Sequence, residues 1–277
     1  MKKLLSFLLA MILCLGISAP AMAVSAPDLD TVNQKAANIW ISLRNANMIS
    51  ANEEGILSVA NENPYVGTLE YNRFLEAVAL YNKLISDKVI SVDLSTGELT
   101  HCLSTQVPEQ IMVQGEHHIQ TAMRQHVPLV TKAGILAAHS CAYTNLDLIG
   151  MCEDNYIELS NVYLLNKIIE AANPSHAPTA WLSTAIYWVN KVREQGDWDY
   201  KTQPDFKPWS KTFCSYYDGT YHHVTSEYIG NFNYGYTGSL LFSLDILHFG
   251  SSAVSGFDPA DEEDWPAIDA GFEKATS

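Results

Sequence analysis

Residues 69–84 read LEYNRFLEAVALYNKL. Leu69, Phe74, Leu75, Val78, Leu80, Tyr81 and Leu84 recur at three- and four-residue steps, the spacing of one face of an α-helix. The stretch decides the fold class because the same period returns on both sides of it. Upstream, residues 28–48 place Val32, Ala36, Ile39, Trp40 and Leu43 near one face. Downstream, residues 108–172 continue in two or three helical pieces, broken near Pro128 and near either Asn145–Gly150 or Glu153–Asn155. Residues 179–194 set Trp181, Ala185, Trp188, Val189 and Val192 on a further face. Leu240–Phe249 and Ala267–Lys274 read as two more helices.

Strand signals are fewer. Val89–Leu94 and Leu99–Leu103 alternate with period two around the turn residues Ser95-Thr96-Gly97-Glu98, which predicts a small β-hairpin. Residues 50–62 are expected to form a short helix, since Ser50 and Glu53 stand at capping-box spacing. The chain is therefore expected to be mainly α (α+β with minor β-hairpins). A helical N-terminal region precedes a compact C-terminal module of helices and turns. Asn173-Pro174-Ser175-His176-Ala177-Pro178 marks the boundary, because two prolines interrupt helix on both sides.

Lys2 and Lys3, the apolar Leu4–Gly16 run and Ala21-Met22-Ala23 make up the three parts of a secretory signal, with cleavage expected after Ala23. The expected organisation is a signal at 1–23, a helical region of unassigned role at 24–175 and the C-terminal module at 176–277. No later segment approaches the roughly 18 apolar residues of a membrane span, so a secreted protein without an anchor is expected. Loss of the leader removes two lysines and leaves 14 basic against 31 acidic residues, a net charge of −17. That field repels polyanions at long range, although Lys201, Lys207 and Lys211 keep a local cationic groove open as a reading.

Cys102, Cys141, Cys152 and Cys214 lie beyond the leader, and four cysteines allow three pairings. Cys141–Cys152 is the first pair to expect. No close cysteine pairs of a zinc ribbon occur. His-Glu-x-x-His and Gly-x-Ser-x-Gly are both absent.

Three clusters near the C-terminus concentrate polar side chains, aromatics and turn residues. In Trp198-Asp199-Tyr200-Lys201, an extended backbone would point Asp199 and Lys201 to one side, about 6.5–7 Å apart. The plainer reading is a surface strand with an exposed ion pair. Gly230-Asn231-Phe232-Asn233-Tyr234-Gly235-Tyr236-Thr237-Gly238 offers amide and hydroxyl groups on glycine-dependent backbone, or a turn whose asparagines satisfy their own backbone. Asp258, Asp261, Glu262, Glu263 and Asp264 offer oxygen ligands for a divalent cation. Asp258-Pro259 also suits a helix start, and that reading is preferred over metal binding. His222 and His223 fall on a turn or strand between the first two clusters, where Cys214 and either imidazole offer a thiol–imidazole pair.

The order of these clusters is more specific than any one of them. Val192-x-x-x-Gly-Asp-Trp-Asp-Tyr-Lys201 is followed by Gly-Asn-x-x-Tyr-Gly-Tyr-x-Gly, a helical segment, Asp-Pro-x-Asp, and Ile268-x-x-Gly271. The set resembles the bacterial toxin 44 family over about residues 178–274. The resemblance implies a small toxin module used against competing bacteria, commonly paired with an immunity protein, with a predicted ribonuclease activity. Its matched positions are Trp198, Asp199, Lys201, Gly230, Asn231, Tyr234, Gly235, Gly238, Asp258 and Asp261. The family tends to carry an Asp before the Asp-Pro, where this chain has Phe257.

On this reading Asp199 is the general acid or base, and Lys201 stabilises developing negative charge. Asn231 and Tyr234 orient substrate, while Asp258 and Asp261 complete the site. Trp198, Tyr200, Asn233, Tyr236 and His222 line it. No cofactor is expected. Two other functions fit the same residues. One is a peptidoglycan hydrolase using Asp199 with Asp258 or Asp261, which needs carboxylates about 5–9.5 Å apart. The other is an inactive binding or adhesion module in which these side chains do not converge.

Overall fold

A computed structural model describes residues 29–86, 90–94, 98–101, 109–127, 141–172, 180–255 and 263–277. The expected leader, the Pro174–Pro178 linker, Cys102, Asp258 and Asp261 lie outside these residues. The fold is mainly α with small sheets, as the periodicities predict. Among the described residues there are eight α-helices: α1 (Leu29–Asn45), α2 (Leu69–Ser86), α3 (Glu109–Gln125), α4 (Leu148–Ala172), α5 (Ala180–Val192), α6 (Ser226–Gly238), α7 (Leu244–Ser255) and α8 (Trp265–Thr276). The strands are β1 (Ile49–Ala51), β2 (Leu57–Val59), β3 (Ile90–Asp93), β4 (Glu98–His101), β5 (Thr144–Asn145), β6 (Thr212–Tyr217) and β7 (Thr220–Thr225). No helix among the described residues is long and apolar enough to cross a membrane.

The chain gathers into two compact units. Among the described residues, one comprises His118–Ser160 and Trp188–Ser277, and the other residues 29–117 with Asn161–Tyr187. In the second unit α1 buries Ala36, Ile39, Trp40 and Leu43, the face read from its sequence. Trp40 meets Phe74 of α2 with ring centroids 6.3 Å apart. Burying a Phe of this kind contributes about 1.5–3 kcal/mol. Leu69 and Leu75, placed by periodicity on the same α2 face, are instead 73% and 38% exposed. Among the residues whose burial is described, α2 buries Tyr71, Phe74, Ala77, Val78 and Ile85.

The helix expected at 50–62 does not form. Antiparallel β1 and β2 take its place. Asn52 explains the difference: its Oδ1 accepts hydrogen bonds from the Glu54 and Ile56 amides at 3.1 and 2.8 Å. This side chain mimics a backbone turn and wins over the capping-box spacing. Asn82 of α2 then locks β2 in place, accepting from the Leu57 N–H at 2.7 Å and donating to the Leu57 carbonyl at 2.8 Å. The predicted hairpin at 89–103 is present as β3 paired antiparallel with β4. Helix α4 runs unbroken through Glu153–Asn155, so the interruption considered there is absent.

Glu116 of α3 ties the second unit together. It accepts from the Trp181 amide in the first turn of α5 at 2.8 Å and from the Tyr163 hydroxyl at 2.6 Å. Burial, and then the nearby Glu170 carboxylate, push its pKa above the usual glutamate range despite Lys167 beside it. Burial opposes the Lys167 charge, but Glu116 and Glu170 outweigh it and raise that pKa too.

In the first unit β5, β6 and β7 form one sheet, with β5 parallel and β7 antiparallel to β6. Cys141 and Cys214 form a disulfide, and Cys152 is free and buried. The Cys141–Cys152 pairing expected first is thereby corrected. Cys152 points into the core from α4, whereas Cys214 sits on the strand beside Cys141.

Candidate functional site

Helix α5 ends at Val192, and Gly196 lets the chain fold back over that end. A Cβ on Gly196 would lie 2.3 Å from the Lys191 carbonyl oxygen. The Trp198 amide donates to that same carbonyl at 2.9 Å. Trp198 is buried. Lys191 reaches over its ring, 5.5 Å from the centroid, and pairs with Glu158 at 2.9 Å and Asp197 at 3.0 Å.

Trp198–Lys201 is therefore not the extended strand considered from sequence. Tyr200–Thr202 is a 3-10 turn, followed by a second at Pro204–Phe206. Asp199 is buried, and its Oδ2 accepts from the Gln195 amide at 2.9 Å and the Thr202 hydroxyl at 3.0 Å. The carboxylate closes its own turn. Lys201 is exposed, so the two tips do not form the pair that an extended backbone would give. The Tyr200 hydroxyl accepts from Asn155 Nδ2 at 2.8 Å, and burial pushes its pKa up to about 12.

Gly230–Gly238 is not a turn but most of α6, whose N-cap Thr225 accepts from the Tyr228 amide at 3.1 Å. Tyr236, Asn233 and Thr237 face inward. Asn233 Oδ1 accepts from Asn155 Nδ2 at 2.9 Å, while its own Nδ2 is buried without a partner. The Tyr236 hydroxyl donates to Glu153 Oε2 at 2.6 Å. Both Glu153 oxygens lie 3.1 Å from His126 Nε2, and His126 Nδ1 donates to the Ala275 carbonyl at 3.1 Å. The carbonyl can only accept, so Nδ1 donates there and Nε2 is the nitrogen that faces the Glu153 carboxylate. Tyr156 stacks on the imidazole at 4.0 Å.

Tyr234 donates its hydroxyl to the Leu247 carbonyl at 3.1 Å and packs against Trp188. Burial drives its pKa well above the usual tyrosine value. Asn231, by contrast, is half-buried and makes no side-chain hydrogen bond among the described residues; the neighbouring Gly230 borders open space. On β7, His222 stacks on Tyr217 at 3.9 Å, and its buried Nε2 has no partner. The sequence-predicted residues thus divide. Trp198, Asp199, Tyr200, Asn233, Tyr234 and Tyr236 hold the fold, Asn231 and Lys201 keep accessible surface, and Asp258 and Asp261, with the cation considered there, lie outside the described residues.

A second constellation was not found by sequence reasoning. His248 of α7 donates from Nε2 to Asp269 Oδ1 of α8 at 2.6 Å. The side chains are 17% and 40% exposed, so solvent reaches both. Trp265 lies flat on the imidazole, 4.4 Å away with planes 3° apart. Asp269 fixes the Nε2–H tautomer and leaves the Nδ1 lone pair as the basic position. The polar His248 inside the apolar run Leu240–Phe249 was the one available signal. Its partner is 21 residues away.

Residues 187–264 match the family model of bacterial toxin 44. The matched segment covers both 3-10 turns, the β6–β7 hairpin, α6 and α7, and it includes His248. Asp269 follows five residues beyond it. The match coincides with the family resemblance carried by Trp198–Lys201 and Gly230–Gly238. No curated protein and no solved structure matches the chain.

Proposed function

We propose that the chain is an exported toxin-like hydrolase whose toxin 44 segment cleaves RNA, with His248 as general base and Asp269 orienting it. The observation that carries this reading is the solvent-reached His248–Asp269 pair at the toxin 44 segment. In RNA cleavage His248 Nδ1 takes the proton of the attacking 2′-hydroxyl as its oxygen bonds to phosphorus, and the 5′-oxygen leaves as the P–O bond breaks, taking a proton from water to become a hydroxyl. Such acid–base assistance contributes typically about 10²–10⁴-fold. Lys201 and Asn231 supply exposed polar groups for substrate. No cofactor is required by this chemistry, and a cognate immunity protein is the expected partner.

The peptidoglycan reading is weaker on this geometry, because Asp199, one of its two carboxylates, is engaged by Gln195 and Thr202. The test is expression of residues 24–277 in the bacterial cytoplasm and, separately, with the leader in the envelope. Cytoplasmic growth arrest with loss of RNA, relieved by His248→Gln, is expected. Arrest confined to the envelope transfers the activity to the cell wall. Arrest untouched by His248→Gln, or no arrest in either compartment, ends the catalytic assignment.

A further inference from the structure

The β5–β6–β7 sheet carries a cluster of two sulfurs and an imidazole apart from the proposed acid–base pair. Cys141 precedes β5, and Cys214 on β6 stands opposite His223 on β7 in the antiparallel register. His223 Nε2 lies 3.7 Å from Cys141 Sγ. All three ligand atoms, Cys141 Sγ, Cys214 Sγ and a His223 ring nitrogen, fall within 4.8 Å of one another. Tyr143 meets the His223 ring edge-on at 5.0 Å and limits its rotation. Cys214 is buried, Cys141 half-buried and His223 exposed, so the cluster opens to solvent on one side.

One of these distances already fits a tetrahedral zinc geometry. Zinc–sulfur and zinc–nitrogen bonds of about 2.3 and 2.0–2.1 Å at a tetrahedral angle put S and N about 3.6 Å apart. The Cys141–His223 separation of 3.7 Å already has that value. Two thiolates on one zinc stand about 3.8 Å apart. The Cα atoms of Cys141 and Cys214 are 6.4 Å apart, and in the reduced site the two sulfurs would separate to that distance.

We propose that Cys141, Cys214 and His223 form a redox-gated zinc site, closed as a disulfide under oxidising conditions and loaded with one Zn²⁺ when reduced. In the reducing step a dithiol transfers two electrons and two protons to the Cys141–Cys214 bond and becomes a disulfide itself. The two thiols then release their protons to solvent as zinc binds, and neutral His223 Nε2 supplies the third ligand. Water occupies the fourth position on the open side. The ion bridges the same two chain segments that the disulfide joins, so the staple survives a change of compartment. A chain made in a reducing cytoplasm and then exported meets both conditions in turn. Soft sulfur with imidazole favours zinc over magnesium or calcium.

The test uses the full mature chain, reduced with a phosphine that does not bind zinc, then given ZnCl₂ and examined by native mass spectrometry and thermal melting. One zinc per reduced chain, none per oxidised chain and a zinc-dependent rise in Tm are expected. Cys102→Ala/Cys152→Ala should keep the zinc, whereas Cys214→Ser should lose it. The exposed His223→Ala should keep the fold and weaken zinc at least tenfold, since even outer partners of a metal site cost about 10–100-fold. A reduced wild-type chain that takes up no zinc, or His223→Ala that binds it equally well, overturns the proposal.

Discussion

Gly235 of α6 packs its backbone directly against Ile268 of α8: a Cβ on Gly235 would stand 2.0 Å from the Ile268 carbonyl oxygen. Gly271 reciprocates, since its Cβ would stand 2.0 Å from the Phe232 carbonyl oxygen. Both obstacles are backbone and cannot rotate away. Gly235→Ala and Gly271→Ala should each destabilise by about 3 kcal/mol or more, the upper part of the range for overpacking. Because they share one crossing, the double variant should cost less than the sum. Gly230→Ala is the control: nothing lies within 4 Å of its added Cβ, so relief of helical glycine entropy should stabilise by roughly 0.5–1 kcal/mol. Thermal melting of the four variants separates these outcomes.

Glu153 of α4 is the acceptor shared by His126, just past the end of α3, and Tyr236 of α6. Its partners are His126 and Tyr236, and the side chains of Glu153 and His126 are only 8% and 7% exposed. Removing one member of a buried pair leaves the other uncompensated, at a cost of about 3–5 kcal/mol. Glu153→Ala should lose that much in denaturant unfolding. Tyr236→Phe removes only one donor and should cost about 1–2 kcal/mol. Near-equal values for the two would show that the imidazole–carboxylate contact contributes little.

Local pattern carried the helices and missed what depends on distant partners. The α1 face of Ala36, Ile39, Trp40 and Leu43 and the alternation of β3 and β4 were legible because period alone specifies them. The residues 50–59 hairpin was not, because one Asn52 side chain outcompetes a Ser50–Glu53 spacing. The glycines at 235 and 238 read as turn formers, yet Gly235 serves a crossing whose other half, Gly271, lies 36 positions along. Site residues suffered in the same way. Polar richness marked the segment that the toxin 44 family model matches, but whether a group is a clasp or a free tip depends on pairings such as Glu153 with Tyr236, 83 residues apart.

Glu116 gives the second unit a predictable pH response. Its folded-state pKa is raised, by burial first and Glu170 next. Between the ordinary glutamate range and that raised value the folded chain binds more protons than the unfolded chain. Stability contributed by this group is therefore present below about pH 4 and falls as pH rises through the window. Lys167, also raised, acts elsewhere: its contribution is lost only as pH rises beyond about 10. Melting curves of wild type and Glu116→Gln should diverge in slope across the acidic window, with the variant flatter. Parallel curves would contradict the raised value.

The Cys141–Cys214 bridge spans 73 residues. Loop-entropy reasoning assigns a closure of that length about 4 kcal/mol. In zinc-free buffer, reduction or Cys141→Ser should lower unfolding free energy by an amount near this value. Cys152→Ala should instead reflect only the loss of a small buried side chain, and its melting should not respond to reductant any differently from wild type.

Asp199 and His248 separate fold from chemistry most sharply. Both are polar, and both belong to the toxin 44 segment. Asp199 aims its carboxylate at the Gln195 amide and the Thr202 hydroxyl, so its charge is spent on the turn that carries Trp198 and Tyr200. Asp199→Ala strips the acceptor from a buried amide and should cost about 1–3 kcal/mol. The fraction that remains folded should keep its specific activity. His248 aims Nε2 at Asp269, and its side chain stays partly exposed. His248→Gln breaks a part-exposed pair worth about 1 kcal/mol or less, leaving Tm nearly unchanged. It should nevertheless reduce cleavage or toxicity by at least about a hundredfold, and Asp269→Asn should do likewise through the wrong tautomer. Unfolding and activity measured on the same preparations decide the matter: a stable but inactive Asp199→Ala beside a fully active His248→Gln would return the catalytic role to Asp199.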